Sequence, residues 1–343
     1  MIGQGFFISS RKYGGRFMKH RKILALVLAM ILIAITMVGC GGKEDGKLMI
    51  GVIQFGGHPS LDNCYEGLEQ GLAEYLKGVE YEIDLQNGNF DSAACDTIAK
   101  NMVASEYDML IGIATPAAVS AYAAAANTDI PVIFCAVSDP VAAGLVDSME
   151  ESGGNCTGTA DILDLEAQVE MIMAMQPQLK KIGVLYTTSE ANSVSQLARL
   201  KQIAADKNIE IVEQGVQTAA DIPQAAAKLC TEVDCLNNFT DNNVVNNLGV
   251  LLEHANDNSI PVYGSEEEQV VNGCMASIGL DYVELGQVTG QMAAEVLTGS
   301  DISKMGVKTI TDTQAFINTD VMAALNIALP DAYSNAVVVE PAA

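Results

Sequence analysis

From Lys47 onward the chain alternates short aliphatic runs with longer stretches whose apolar positions recur every three or four residues. Continuous apolar runs bounded by polar or Gly/Pro residues read as buried strands, and a 3.6-residue period reads as a helix packed on one face. Strands are predicted at 48–55, 81–86, 109–114 and 132–137, with helices at 61–76, 93–105 and 116–126. The theme then repeats: helix 165–175, strand 182–186, helix 192–206, strand 209–214, helix 222–231, strand 235–239, helix 244–256 and strand 261–264. Such alternation predicts an α/β fold with parallel sheets covered by helices on both faces, in two copies. At 343 residues the chain is long enough for two lobes with separate cores. Gly153-Gly154-Asn155 and Ser277-Ile278-Gly279 interrupt the pattern and are expected crossings between lobes.

The halves share a motif. Asp108 to Thr115, a helix, then Ile130-Pro131-Val132 corresponds to Val233 to Thr240, a helix, then Ile260-Pro261-Val262. Each half thus presents a strand ending in Thr followed by a helix, with Pro116 suited to the first helical turn. Either Thr115 and Thr240 cap their own helices, or both helix starts face one small anion across a cleft, the edge at which open α/β sheets bind ligands.

Composition narrows the function. Only 18% of residues are charged and 49% are hydrophobic, which excludes disorder for most of the chain. A net charge of -25 opposes nucleic acid, which needs clustered Lys and Arg. With His only at 20, 58 and 254, no CxxC pair, no nucleophile elbow, no Walker loop and no GxGxxG, neither a metal site, a bound cofactor nor an enzymatic centre is expected. Seven cysteines follow Cys40, an odd number set in apolar surroundings, and read as buried free thiols rather than a disulfide framework.

The charge is uneven. Arg11, Lys12, Arg16, Lys19, Arg21 and Lys22 precede an uncharged run from Ile23 to Gly39, the layout of an export signal, with Met18 an alternative start. Met37-Val38-Gly39-Cys40 resembles the lipobox of bacterial lipoproteins, which implies lipidation of Cys40. The alternative is a retained membrane-spanning anchor; both place the acidic body outside the cytoplasm.

Gln54-Phe55-Gly56-Gly57-His58-Pro59-Ser60-Leu61-Asp62, Ala114-Thr115-Pro116-Ala117-Ala118, Ala136-Val137-Ser138-Asp139-Pro140 and, further on, Ser189-Glu190-Ala191-Asn192-Ser193, Thr240-Asp241-Asn242 and Asp281-Tyr282 run in an order that resembles the substrate-binding proteins of tryptophan- and tyrosine-type ABC transporters. The resemblance spans 48–330 and implies a type I periplasmic-binding-protein fold: two Rossmann-like lobes joined by hinge strands that close on a small ligand. It also implies delivery to a permease with a cytoplasmic ATPase, by a monomer. The expected organisation is a signal peptide at 1–39, a lipidated tether at 40–46, an N-terminal lobe of 47–156 plus 281–312, a C-terminal lobe of 157–280 plus 313–330, and a tail at 331–343.

Candidate ligand-binding residues are Gln54, Phe55, His58, Thr115, Pro116, Ser138, Asp139, Ser189, Glu190, Asn192, Ser193, Phe239, Thr240, Asp241, Asn242, Glu266, Asp281 and Tyr282. His58 either lines the cleft or bonds a neighbouring carbonyl. Phe55, Phe239 and Tyr282 are either aromatic cleft walls or core. Asp139, Glu190, Asp241 and Asp281 are candidate partners for a ligand ammonium. Glu266-Glu267-Glu268 reads as a solvated loop with Glu266 near the cleft edge. The function expected is an extracytoplasmic solute-binding lipoprotein of an ABC importer that closes around a small amino-acid-like ligand, an aromatic or large apolar amino acid such as tryptophan; a nucleoside or other small-solute receptor and a ligand-sensing subunit of a signalling system are the alternatives.

Changing Cys40 to Ala should abolish cleavage after Gly39 and release or mislocalise the protein. Normal maturation and unchanged membrane association in a cell-fractionation assay would reject lipidation.

Overall fold

The computed structural model describes residues 46–340; the expected signal peptide and Cys40 lie outside the described residues. The first lobe is laid down as β1 (Leu48–Gln54), α1 (Pro59–Tyr75), β2 (Tyr81–Asn87), α2 (Ser92–Ala104), β3 (Met109–Ile113), α3 (Thr115–Ala125), β4 (Val132–Cys135) and β5 (Cys156–Ala160). The second follows as α4 (Leu165–Met175), β6 (Lys181–Thr187), α5 (Ala191–Asp206), β7 (Glu210–Val216), α6 (Ile222–Leu229), β8 (Cys235–Asn237), α7 (Asn242–Asn246), α8 (Leu248–Asp257), β9 (Val262–Gly264), α9 (Glu267–Val271) and β10 (Ala276–Gly279). The chain then returns to the first lobe with α10 (Tyr282–Leu297) and β11 (Lys308–Thr309), and ends in the second with β12 (Gln314–Ile317), α11 (Thr319–Ala324) and β13 (Val337–Val338).

The sheets run β11-β5-β4-β3-β1-β2 and β13-β12-β10-β9-β8-β6-β7, parallel throughout except for β10 against β12. Central strands β3 and β4 are buried along their whole length, because helices cover both faces of the first sheet. Edge strand β2 has no fully buried residue, and Glu82, Leu85 and Asn87 are exposed. All seven cysteines of the body are free and buried.

Several expectations shift. Strands predicted through Ala114 and Val137 stop at Ile113 and Cys135, since Ala114 (φ 75°) and Ala136 (φ 55°) leave the extended region. The single helix expected at 244–256 is broken at Asn247, whose Nδ2 donates to the Asn243 carbonyl at 2.8 Å and competes with helical bonding. Cys156–Ala160 stays in the first sheet beside β4, so the chain leaves that lobe after Ala160. Residues 277–279, expected as a crossing, belong to the paired strand β10, and 337–338, expected as tail, pair with β12.

The first lobe is held by an unusually close helix pair. Gly67 and Gly71 of α1 face Gly286 and Gly290 of α10. A Cβ at Gly67 would stand 2.0 Å from the Val283 carbonyl oxygen, and one at Gly286 would stand 2.2 Å from that of Cys64. Only glycine permits that approach. Gly286→Ala should therefore lower stability by about 1–3 kcal/mol in urea titrations, because overpacking against backbone outweighs the gain in helix propensity of up to about 1 kcal/mol. Unchanged or raised stability would show that the helices separate freely.

Candidate functional site

The strand order of each sheet doubles back once, between β1 and β3 in the first and between β6 and β8 in the second. Loops leaving the carboxyl ends of strands at such a point diverge and leave a crevice. Those after β1 and β3 supply His58, Ser60, Leu61, Ala114 and Thr115, and those after β6 and β8 supply Asn192, Thr240 and Asn242. Ala136, Ser138, Asp161, Glu266 and Tyr282 complete a small, nearly closed cavity between the lobes. Around it the lobes touch: Asn63 Nδ2 donates to Glu268 Oε1 at 2.6 Å, Ser195 Oγ donates to Asp139, and Ser138 Oγ lies 3.5 Å from Thr240 Oγ1.

Neither threonine caps a helix. Ala114 holds the N-cap position of α3 with φ 75° and ψ 154°, a region nearly reserved for glycine, so Thr115 is the first helical residue and turns into the cavity. The Ala114 amide donates to the Cys135 carbonyl at 3.0 Å, which ties this strained corner to the next strand. In the second lobe Asp241 is the cap of α7, accepting from the Val244 amide at 2.9 Å and also from the Thr187 amide and the Ser193 hydroxyl. Glu190 accepts from the amides of Asn242 (3.0 Å) and Asn243 (3.1 Å). The start of α7 is thus filled by the chain's own carboxylates, which overturns the expectation that helix starts from both lobes share one anion. Thr240 still faces the cavity, its hydroxyl accepting from Gln196 Nε2 at 2.9 Å.

Of the expected residues, His58, Thr115, Ser138, Asn192, Thr240, Asn242, Glu266 and Tyr282 line the cavity. Phe55, Pro116, Ser189 and Glu190 border a neighbouring, more open cleft with Phe90, whose ring meets Phe55 edge-on at 5.8 Å and stacks on His58 at 6.3 Å. The others serve structure. Gln54 Nε2 braces the loop after β1 by donating to the Gly56 carbonyl and Asp62. Phe239 is core, and Ser193 serves Asp241. Asp139 joins the lobes, and Asp281 is exposed and caps α10 through the amides of Val283 and Glu284. The solvated-loop expectation is corrected at Glu267 and Glu268, which open α9, Glu268 being half-buried; Glu266, expected at the cleft edge, is 1% exposed at the N-cap of α9, and its side chain makes no cap. The sequence reading missed Ser60, Leu61, Ala114, Ala136 and Asp161. Asp161 follows the short strand Cys-Thr-Gly-Thr-Ala, which has no hydrophobic alternation to announce it.

No lysine or arginine lines the cavity among the described residues. Asp161 Oδ2 accepts from Tyr282 Oη at 3.2 Å, while Asp161 Oδ1, Ser60 Oγ, His58 Nδ1 and Asn192 Oδ1 are buried without a partner. Each such atom costs about 1–3 kcal/mol, so four around one space mark where a polar ligand's groups fit. Burial pushes Asp161 up to about 6 against the donors around it. Burial, then the neighbouring Asp241 carboxylate, pushes Glu190 up to about 7. Burial, then Glu268, pushes Glu266 up to about 8. Burial lowers His58 to about 4, so its ring is neutral near pH 7.

The model of the ABC transporter substrate binding protein family matches residues 49–340. The chain belongs to that family. This substrate-binding protein is 38% identical over 324 residues to a tyrosine-binding protein of Clostridioides difficile, covering 90% of this chain and 93% of that one. A structure of the ABC domain in complex with L-Trp from Streptococcus pneumonia superposes with a TM-score of 0.82 at 33% identity, covering 85% of this chain and all of the other. The ligand-free, open structure of a substrate binding protein with adhesive properties from Clostridium difficile gives 0.66 at 35% identity, covering 86% of this chain and all of the other. A myo-inositol-bound solute binding protein from Bacillus halodurans, at 15% identity and TM-score 0.59, supports the type I periplasmic-binding-protein fold alone. At similar identity the substrate-binding protein matches the L-Trp complex better than the open form, in keeping with its interlobe hydrogen bonds.

The shifts carry opposite signs with pH. A carboxyl raised by folding contributes stability that is complete below its ordinary value and lost as pH rises through the folded one. His58, depressed by folding, contributes stability that is complete above 6.5 and lost as pH falls toward about 4. Between pH 6.5 and 8 only the carboxyl effect of Glu190 and Glu266 changes, so the melting temperature without ligand should fall across that window. A flat or rising melting curve from scanning calorimetry would refute the protonated burial of these groups.

Proposed function

We propose that this substrate-binding protein captures an aromatic amino acid, L-tryptophan or L-tyrosine, and delivers it as a lipid-anchored monomer to an ABC permease with a cytoplasmic ATPase. The observation that carries the reading is the interlobe cavity, with buried acidic groups, unpartnered polar atoms and no basic side chain. An amino acid brings the missing cation in its ammonium, which suits the end formed by Asp161 and Glu266. Its carboxylate suits the start of α3 at Thr115, where no carboxylate of the chain stands and the positive end of an 11-residue helix is turned to the cavity. The start of α1 is less suited, because Ser60 there already faces Glu266 and Glu268.

The cavity is nearly closed, so a ligand of amino-acid scale is taken up with the lobes apart. Leu61, Ala114, Ala136 and the Tyr282 ring offer apolar surface for a side chain. The tyrosine-binding relative and the L-Trp complex favour an aromatic one.

The protein contains no Trp, so indole fluorescence in a titration reports the ligand alone. A panel of amino acids and nucleosides should show saturable binding of L-tryptophan or L-tyrosine; binding of nucleosides only would replace the assignment. Thr115→Val removes one hydroxyl while keeping the shape. Loss of a hydrogen bond to a charged group, about 1.5–3 kcal/mol, should weaken binding by about ten- to a hundredfold in calorimetric titration. Intact affinity in a folded variant would move the carboxylate away from α3.

A further inference from the structure

Glu266 is the most enclosed carboxyl of the cavity, and everything titratable around it is acidic or neutral. His58 faces it from the loop before α1, Asp161 from the end of β5 and Tyr282 from the start of α10. Glu268 stands beside it on α9, and the thiols of Cys64 and Cys274 lie within electrostatic reach from α1 and from the turn before β10. Glu267, also on α9, is exposed. Gln269 Nε2 donates to its carboxylate at 3.1 Å, and the buried Ser60 hydroxyl lies beside it and beside Glu268. Asp161 Oδ1 is buried without a hydrogen-bond partner. The positive start of α1 favours one negative charge here. Three carboxyls with no cation cannot all ionise in such a space, because like charges at short range and lost hydration both favour a bound proton.

We propose that the Glu266 cluster holds a proton while the cleft contains no ligand and releases it to solvent when the ligand's ammonium takes its place, so that capture is coupled to proton release and strengthens as pH rises. The inference rests on the amino-acid reading above and adds a pH linkage to it. The balance is simple: a protonated amine and a carboxylic acid enter, an ammonium–carboxylate pair remains in the cleft, and one proton passes to buffer. The burial that raises Glu266 to about 8 sets the window. Above it the carboxylate is already formed; below it each bound ligand must displace the proton, so affinity falls by up to about tenfold per pH unit.

Calorimetric titration of the full chain with L-tryptophan, and with L-tyrosine in parallel, at pH 6.5, 7.5 and 8.5 in two buffers of different ionisation enthalpy tests this. The expected result is a buffer-dependent heat corresponding to release of up to one proton at pH 6.5 and 7.5, shrinking at 8.5, with affinity about 25-fold higher at 8.5 than at 6.5. Glu266→Gln, which cannot titrate, should bind more weakly with no proton release and a flat pH profile. Should that variant not fold, indole-3-propionate on the unaltered protein replaces it: lacking the ammonium, it should bind without releasing a proton. Binding of either amino acid with no buffer-dependent heat at any pH overturns the linkage and leaves the amino-acid reading standing. Undiminished release from Glu266→Gln, or release on binding indole-3-propionate, overturns the role of Glu266. No binding of either amino acid at any pH overturns the aromatic reading and the linkage with it.

Discussion

Buried carboxylates without a basic partner, set where two lobes meet, are the constraint around which this protein is arranged. An isolated ionised carboxyl out of water is so unfavourable that it must find donors, find a cation or keep its proton. The second lobe takes the first course: Asp241 and Glu190 spend their acceptors on the amides at the start of α7 and on Thr187, Ser193 and Asn242. The acids nearer the hinge, Asp161 and Glu266, meet fewer donors and share the cavity with each other. One acidic group therefore holds the scaffold together, and the other is left for chemistry that arrives from outside.

The frame around those acids is stiff. Ser60 lies in the first turn of α1 and Tyr282 opens α10, and the two helices meet backbone to backbone through four glycines. The walls of the site on the first lobe are thereby held at a fixed spacing. Ala114 and Ala136 add strain at the ends of β3 and β4, of order 1–3 kcal/mol each, held in place by the buried strands they terminate. Across the cleft the lobes meet through few side-chain hydrogen bonds, among them Asn63 with Glu268 and Ser195 with Asp139.

Much of this was written locally. Apolar runs such as Met109 to Ile113 and the periodic stretch Leu165 to Met175 declare strand and helix by themselves, because central parallel strands are buried on both faces and helices on one. The order of these elements determined the two-lobed α/β fold, and the strand-end motifs around His58, Thr115, Thr240 and Asn242 pointed to residues that line the cavity. What the sequence could not decide was how identical residue types divide their tasks. Glu190, Asp241, Asp281 and Glu266 are all acids next to helix starts; Asp241 and Asp281 cap their own helices, Glu190 reaches across to the amides that open α7, and Glu266 has its side chain turned from the N-cap into the cavity. That division rests on which amides lie within reach after folding. Asp161 was invisible for the same reason, since the strand before it is recognisable only by its pairing with β4, and the conformation of Ala114, which turns Thr115 from a cap into a cavity wall, is imposed by the packing of its neighbours against the preference of alanine.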